Sequence, residues 1–256
     1  MEKVFIKNRD NKNIAVLLEK PENVKGLAFL MHGLGASKDR PFLNEWAKVF
    51  KQHGYVVVRF DARDTFGESE GEYEHATVTG YYQDLEDVIH WTKAQEFYKE
   101  PFCVMGHSLG GICTALYAEA YPEDIKGLAP ISTVVSGELS VEAHGVEDIN
   151  QWKQSGWKER VSTTQPGLVK RLPWSHMEDR LHYNVLTHID RLTMPVLMMV
   201  GSEDDVTPVK HQQILFDALP GKKELHVVLN AGHTFKNDEH IAETSRFLDN
   251  WLTSLK

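Results

Sequence analysis

Residues 102–121 read Phe-Cys-Val-Met-Gly-His-Ser-Leu-Gly-Gly-Ile-Cys-Thr-Ala-Leu-Tyr-Ala-Glu-Ala-Tyr. An apolar strand-like run, Phe102–Met105, leads into Gly106-His107-Ser108-Leu109-Gly110. A helix-forming stretch, Leu109–Tyr121, leaves it and is stopped by Pro122. Gly-x-Ser-x-Gly is a weak signal alone. Between a strand and a helix it marks a tight, strained turn that projects a serine hydroxyl above a sheet. Glycines at 106 and 110 remove Cβ atoms that would strike the neighbouring strand and helix. The helix N-terminus adds free N–H groups and partial positive charge where an oxyanion forms.

Working outward, strands and helices alternate. Val4–Lys7 and Ile14–Glu19 read as a hairpin around the Asn8–Asn13 turn. Gly26–Met31 is a short continuous apolar run, as a strand buried on both faces should be, and Tyr55–Phe60, Phe102–Met105, Ile125–Ile131, Pro195–Val200 and Glu224–Leu229 read as further strands. Ser37 and Asp39 are cap candidates for a helix through Trp46, Val49 and Phe50 that Gly54 ends. Thr79 precedes a helix whose apolar face is Tyr82, Leu85, Val88, Ile89 and Trp91, and a final helix runs through Ile241, Phe247, Leu248 and Leu252. This alternation implies right-handed crossovers and a mostly parallel eight-stranded sheet with helices on both faces. Ser136–Asp190 breaks the rhythm; with Trp152, Trp157, Trp174, Pro166 and Pro173 it reads as short helical pieces and turns. A structureless loop of that length is improbable, so 136–190 is expected to be an inserted subdomain and 1–135 with 191–256 the core.

The bulk properties set limits. A formal net charge of -9 over 256 residues argues against a nucleic-acid binder, which would need a basic stripe, and gives no reason to expect attraction to an anionic membrane surface. No run of about 18 apolar residues exists to span a bilayer, and Met1–Asp10 lacks the apolar core of a signal peptide. Cys103 and Cys113 are too few for a disulfide framework and read as buried free thiols, with a cytoplasmic location as the expectation. There is no metal-ligand spacing, P-loop or G-x-G-x-x-G fingerprint, so no cofactor is expected.

A serine hydroxyl needs a base to take its proton and an acid to orient that base. Among thirteen histidines, His233 stands after the strand Glu224–Leu229, in Asn230-Ala231-Gly232-His233, at the carboxyl edge where open α/β sheets bind ligands. The acid is sought on the loop after Val200, which offers Glu203, Asp204 and Asp205. One oxyanion donor should be the backbone N–H of Leu109, directly after Ser108.

Gly-His-Ser-Leu-Gly-Gly, with Met31-His32-Gly33-Leu34-Gly35, Gly201-Ser202-Glu203-Asp204 and Gly232-His233, resembles the α/β-hydrolase superfamily across nearly the whole chain. It is most similar to the branch of cinnamoyl (feruloyl) esterases and monoacylglycerol-lipase-like enzymes. That resemblance implies the α/β-hydrolase fold with a cap inserted after the sixth strand, over the site. It selects Asp204 as the acid, with Asp205 left open, and the Leu34 N–H as second oxyanion donor, with His32 bracing the loop. Asp61–Ser69 resembles the family's Asp-x-Arg-Gly-x-Gly-x-Ser loop but is one residue longer and has Asp64 for its first glycine, so its path is open and a structural role is expected.

The expected activity is a serine carboxylesterase that cleaves small to medium esters, feruloyl-type included, through an acyl-enzyme. Its partner is then a small-molecule ester. Thioesterase, lactonase and aminopeptidase-like chemistry share such a site, and a non-catalytic ligand-binding protein can share the fold. A serine rather than an aspartate at residue 108 argues against a haloalkane dehalogenase. Trp152, Trp157 and Trp174, with Leu168, Leu172 and Leu181, are candidates for an apolar substrate wall, and equally for packing of the insert. His144, His176 and His182 are expected at the polar surface.

Overall fold

The computed structural model describes residues 1–161, 167 and 169–255; Pro166 and Leu168 lie outside the described residues. In chain order the elements are β1 (Glu2–Lys7), β2 (Asn13–Glu19), β3 (Gly26–Met31), α1 (Pro41–Gln52), β4 (Tyr55–Phe60), α2 (Val78–Lys93), β5 (Phe102–His107), α3 (Leu109–Ala120) and β6 (Ile125–Ile131). Then follow α4 (Gly137–His144), α5 (Val146–Ser155), β7 (Trp157–Val161), β8 (Val169–Pro173), α6 (Trp174–Arg180), β9 (Val196–Gly201), α7 (Val209–Ala218), β10 (Lys223–Val228) and α8 (Asp238–Ser254).

Eight strands form one sheet in the order β1-β2-β4-β3-β5-β6-β9-β10. The pairs from β4 to β10 are parallel, and only β2 runs against its neighbours. The unbroken apolar runs are explained by burial on both sides. Leu27, Phe29 and Met31 pack with Tyr81, Leu85 and Ile112 of α2 and α3. Ala28 and Leu30 pack with Leu43, Trp46 and Trp251 of α1 and α8. This is the α/β-hydrolase fold, open rather than barrelled.

Helix starts differ from the sequence reading for identifiable reasons. α1 is capped by neither Ser37 nor Asp39; Pro41 occupies its first position, where a fixed φ and a missing N–H cost nothing. α2 begins at Val78, capped by Thr77, whose hydroxyl accepts from the Gly80 N–H at 2.9 Å. Its inward face includes Tyr81 and Asp84, while Tyr82 and Trp91 are only half-buried. Asp84 is tolerated there because it accepts hydrogen bonds from Asn8, at 2.8 Å, and from Arg63.

Segment 136–190 contains the expected short helices and also β7 and β8, which form an antiparallel two-stranded sheet of their own. Trp157-Lys-Glu-Arg-Val161 has no apolar alternation and is mostly exposed, so the period-2 signal is absent from its sequence. Among the described residues no helix is long and apolar enough to cross a membrane. Both thiols are buried and unlinked, and burial pushes Cys103 up to about 12.

At the end of α3, Glu119 is buried and its Oε1 has no hydrogen-bond partner among the described residues. Burial pushes its carboxyl up to about 8, against the lowering pull of Arg191. The folded state therefore holds a proton that the unfolded chain has released, so stability falls between the ordinary carboxylate value, about 4.3, and pH 8. Glu119→Gln keeps the neutral form at every pH. Calorimetry should show a melting-temperature advantage for the variant that grows between pH 5 and pH 8, at about 2–4 °C per kcal/mol. An advantage independent of pH would contradict this account.

Candidate active site

Ser108 joins β5 to α3 at φ 56°, ψ -115°, a conformation that side chains rarely adopt. Such strain costs of order 1–3 kcal/mol and persists where neighbours over-determine the backbone. Here the Ser108 N–H donates to the Ile131 carbonyl at 3.0 Å. Its own carbonyl accepts from Gly111 at 3.0 Å, Val134 at 3.2 Å and Ile112 at 3.3 Å. A Cβ on Gly106 would overlap the Gly110 carbonyl, and one on Gly110 would stand 2.7 Å from the Met31 carbonyl oxygen. Only glycine lets β5, α3 and the end of β3 close on one another.

The Ser108 hydroxyl lies 3.0 Å from His233 Nε2. His233 follows β10, and its Nδ1 lies 2.9 Å and 3.1 Å from the two carboxylate oxygens of Asp204, on the loop after β9. The Asp204 side chain is fully buried, whereas Glu203 and Asp205 are exposed. Burial alone would raise the Asp204 carboxyl. The hydrogen bond and charge of His233, with the N–H and hydroxyl of Thr207, outweigh it and hold Asp204 well below the usual carboxylate range. Thr207 donates from its N–H at 2.8 Å and its hydroxyl at 2.9 Å. Both acceptor atoms of Asp204 are thereby aimed at one nitrogen.

His107 was not singled out from the sequence. It is buried beside Phe42, and its Nε2 donates to the His233 carbonyl at 2.7 Å. Burial, then the charge of His233, pushes it down to about 3, so it stays neutral and keeps that donor. The available signal was a histidine ending a wholly buried strand. His32 braces its loop as expected: Nδ1 donates to the Gly33 carbonyl at 2.7 Å and Nε2 accepts from the Ala62 N–H at 3.0 Å.

Gly33 passes directly over the serine, since a Cβ there would stand 3.0 Å from Ser108 Cβ. Leu34 and Leu109 line the same cavity as Ser108 and His233. As first residue of α3, Leu109 has an N–H without an intrahelical acceptor. The Asp61–Ser69 loop is structural. Asp64 takes the positive φ of the missing glycine, 57°, and its carboxylate accepts from Lys12 at 2.9 Å and the Glu72 N–H at 3.1 Å. Asp61 binds the buried Lys38 ammonium at 2.9 Å.

The cavity above Ser108 has a volume of about 290 Å³. Trp152 and Leu172 line it, and the Trp152 Nε1 donates to the Leu172 carbonyl at 3.0 Å. Trp157 and Trp174 do not reach it. Trp157 is exposed beneath the Arg171 guanidinium, and Trp174 packs edge-on against Trp152 at 5.7 Å. Leu181 is exposed too. Of the three histidines expected at the surface only His182 is exposed; His144 lines the cavity and His176 is wholly buried against Trp152.

Residues 22–181 match the model of the family described as Serine aminopeptidase, S33, an α/β-hydrolase family. The chain belongs to this family. Among its relatives, the thermostable monoacylglycerol lipase of Bacillus sp. (strain H-257) is 25% identical, over 80% of this chain and 81% of that one. The mitochondrial palmitoyl-protein thioesterase ABHD10 of Mus musculus is 27% identical over 62% of this chain and 52% of its own length. The solved structure of Est1E from Butyrivibrio proteoclasticus with ferulic acid bound superposes with a TM-score of 0.82, covering 98% of each chain at 19% identity, a likeness of fold.

The crowding of β5, α3 and the end of β3 sets a prediction. Gly106→Ala should cost on the order of 3 kcal/mol in urea unfolding, since backbone atoms must shift to admit the methyl. A cost under about 0.5 kcal/mol, the range of surface substitutions, would contradict the packing described.

Proposed function

We propose that the protein is a serine carboxylesterase acting through a covalent acyl-enzyme. The observation that carries this reading is the continuous line from the Ser108 hydroxyl through His233 to the buried Asp204, opening into a cavity. Ser108 Oγ attacks the ester carbonyl carbon while His233 Nε2 takes its proton. The carbonyl oxygen, now negative, is received by the N–H groups of Leu34 and Leu109. Collapse breaks the bond to the alcohol, which leaves with the proton from His233. Water then repeats the sequence on the acyl-enzyme and frees the acid. Asp204 holds the imidazole with Nε2 facing Ser108 and stabilises its charged form. Segment 136–190, which supplies Trp152 and Leu172, serves as a cap that shapes the acyl site. A reducing cytoplasm suits the two buried, unlinked thiols.

A thioester is the second reading, favoured by the relative named a palmitoyl-protein thioesterase. The family description names an aminopeptidase, but the cavity speaks against that substrate class. A free amino terminus calls for an acidic partner, and no Asp or Glu lines the cavity among the described residues. Residues 162–168 contain none either.

A fluorophosphonate probe should label the wild type once per chain and leave Ser108→Ala unlabelled; labelling retained in that variant would remove Ser108 from its role. Asp204→Asn should keep its fold and lose about 10⁴-fold in kcat on p-nitrophenyl butyrate, because the amide no longer fixes the productive tautomer. A loss under tenfold would show that another group orients His233.

A further inference from the structure

The chain is acidic overall, with a formal net charge of -9. The cavity over Ser108 is the reverse: Lys158, Arg160, Lys170 and Arg180 line it, without a carboxylate among the described residues. Acidic groups elsewhere are screened within about 8 Å at physiological salt, so the local cations set the field that a bound molecule meets.

Arg180, at the end of α6, is 8% exposed and takes part in no ion pair among the described residues. One terminal nitrogen donates to His176 Nε2 at 2.6 Å, and its Nε has no partner among the described residues. His176 Nδ1 in turn donates to the Ala76 carbonyl at 2.7 Å. A guanidinium has no lone pair to offer, so His176 Nε2 must be the acceptor and the ring must be neutral. Burial, then the charge of Arg180, holds His176 down at about 3. The histidine therefore aims the guanidinium without cancelling its charge. The adjacent Asp179 is turned away, accepting from the Thr79 N–H at 3.2 Å.

Two lysines accompany it. Lys170 on β8 donates to the Gly35 carbonyl at 3.1 Å, beside the Leu34 loop, and stands over the Phe66 ring at 4.7 Å. Lys158 on β7 is shared between Asp148 and His144 Nδ1, each at 3.2 Å. His144 is pushed down to about 4 by burial, then by Lys158, Arg180 and Arg160. Burial draws Arg180 only to about 10, so its charge persists at neutral pH. A buried cation without a counter-ion is costly to keep, and a neutral acyl chain gives it nothing in return.

We propose that the substrate carries, besides its scissile ester, an oxyanion (carboxylate or phosphate) that is bound by Arg180 with Lys170 and Lys158. The proposal rests on Ser108 being the nucleophile. The planar guanidinium offers the paired N–H donors that such oxyanions accept, and the lysines supply point charges.

The test compares kcat/KM at low ionic strength within matched pairs. Mono-p-nitrophenyl glutarate against p-nitrophenyl pentanoate places a carboxylate on the acyl side. 4-Butyryloxybenzoate and 4-butyryloxyphenyl phosphate, each against phenyl butyrate, place a carboxylate or a phosphate on the leaving group. One anionic ester at least should exceed its neutral partner by about tenfold or more, and Arg180→Gln should cut that ratio tenfold. Should Arg180→Gln fail to fold, Lys170→Met reads the same ratio from a half-buried position, with an expected fall of about threefold. Neutral esters preferred throughout, or a ratio unchanged by the variants, would overturn the anion site while fluorophosphonate labelling persists. Absence of both labelling and turnover in the wild type would instead overturn the esterase reading and this proposal with it.

Discussion

The strained turn at Ser108 is the constraint on which the remaining geometry depends. Its φ of 56° is held because the N–H is tied to β6 and the carbonyl receives three donors from α3 and the loop after β6. Those bonds need α3 to lie close against β3 and β5, and that approach leaves no room for a Cβ at residue 106 or 110. Once the turn is set, the loops after β3, β5, β9 and β10 all open at the same carboxyl edge of a parallel sheet. Leu34, Ser108, Asp204 and His233 meet because four separate strands end there. No local sequence element holds them together.

Polar groups around this edge divide into two populations. His32, His107 and His176 are buried, pushed down from the ordinary imidazole range, and fixed by carbonyl acceptors as neutral donors. They behave as braces: His32 for the Leu34 loop, His107 for the His233 backbone, His176 for Arg180. The second population is charged. Asp204 keeps its negative charge through Thr207 and His233, while the cavity above Ser108 gathers cations from β7, β8 and α6. The buried Asp204 carboxylate and the cations of the cavity roof thus lie on different elements, the loop after β9 on one side and β7, β8 and α6 on the other.

Much of this was legible in the sequence. Gly26–Met31, Tyr55–Phe60 and Ile125–Ile131 begin and end where the apolar runs do, because burial on both faces leaves no polar alternation to blur them. The juxtaposition of Ser108, Asp204 and His233 was readable because each follows a strand of the same sheet. Asp204 and Asp205 could not be separated from the residues alone, since only the turn after β9 decides which carboxylate is buried. The segment 136–190 was the least legible part. Its hairpin is exposed and charged, so it carries no apolar period, and three tryptophans of the same type end in three environments. His176 looked like a surface residue because a helix of seven residues gives too short a pattern to show its inward face.

Acid-quenched turnover of p-nitrophenyl butyrate, followed by intact-protein and peptide mass measurement, addresses the central claim most directly. The account predicts one butyryl group per chain, on the peptide containing Ser108, appearing with a burst of p-nitrophenol. A butyryl group on another residue, or turnover with neither burst nor adduct under conditions where deacylation is slowed, would contradict it.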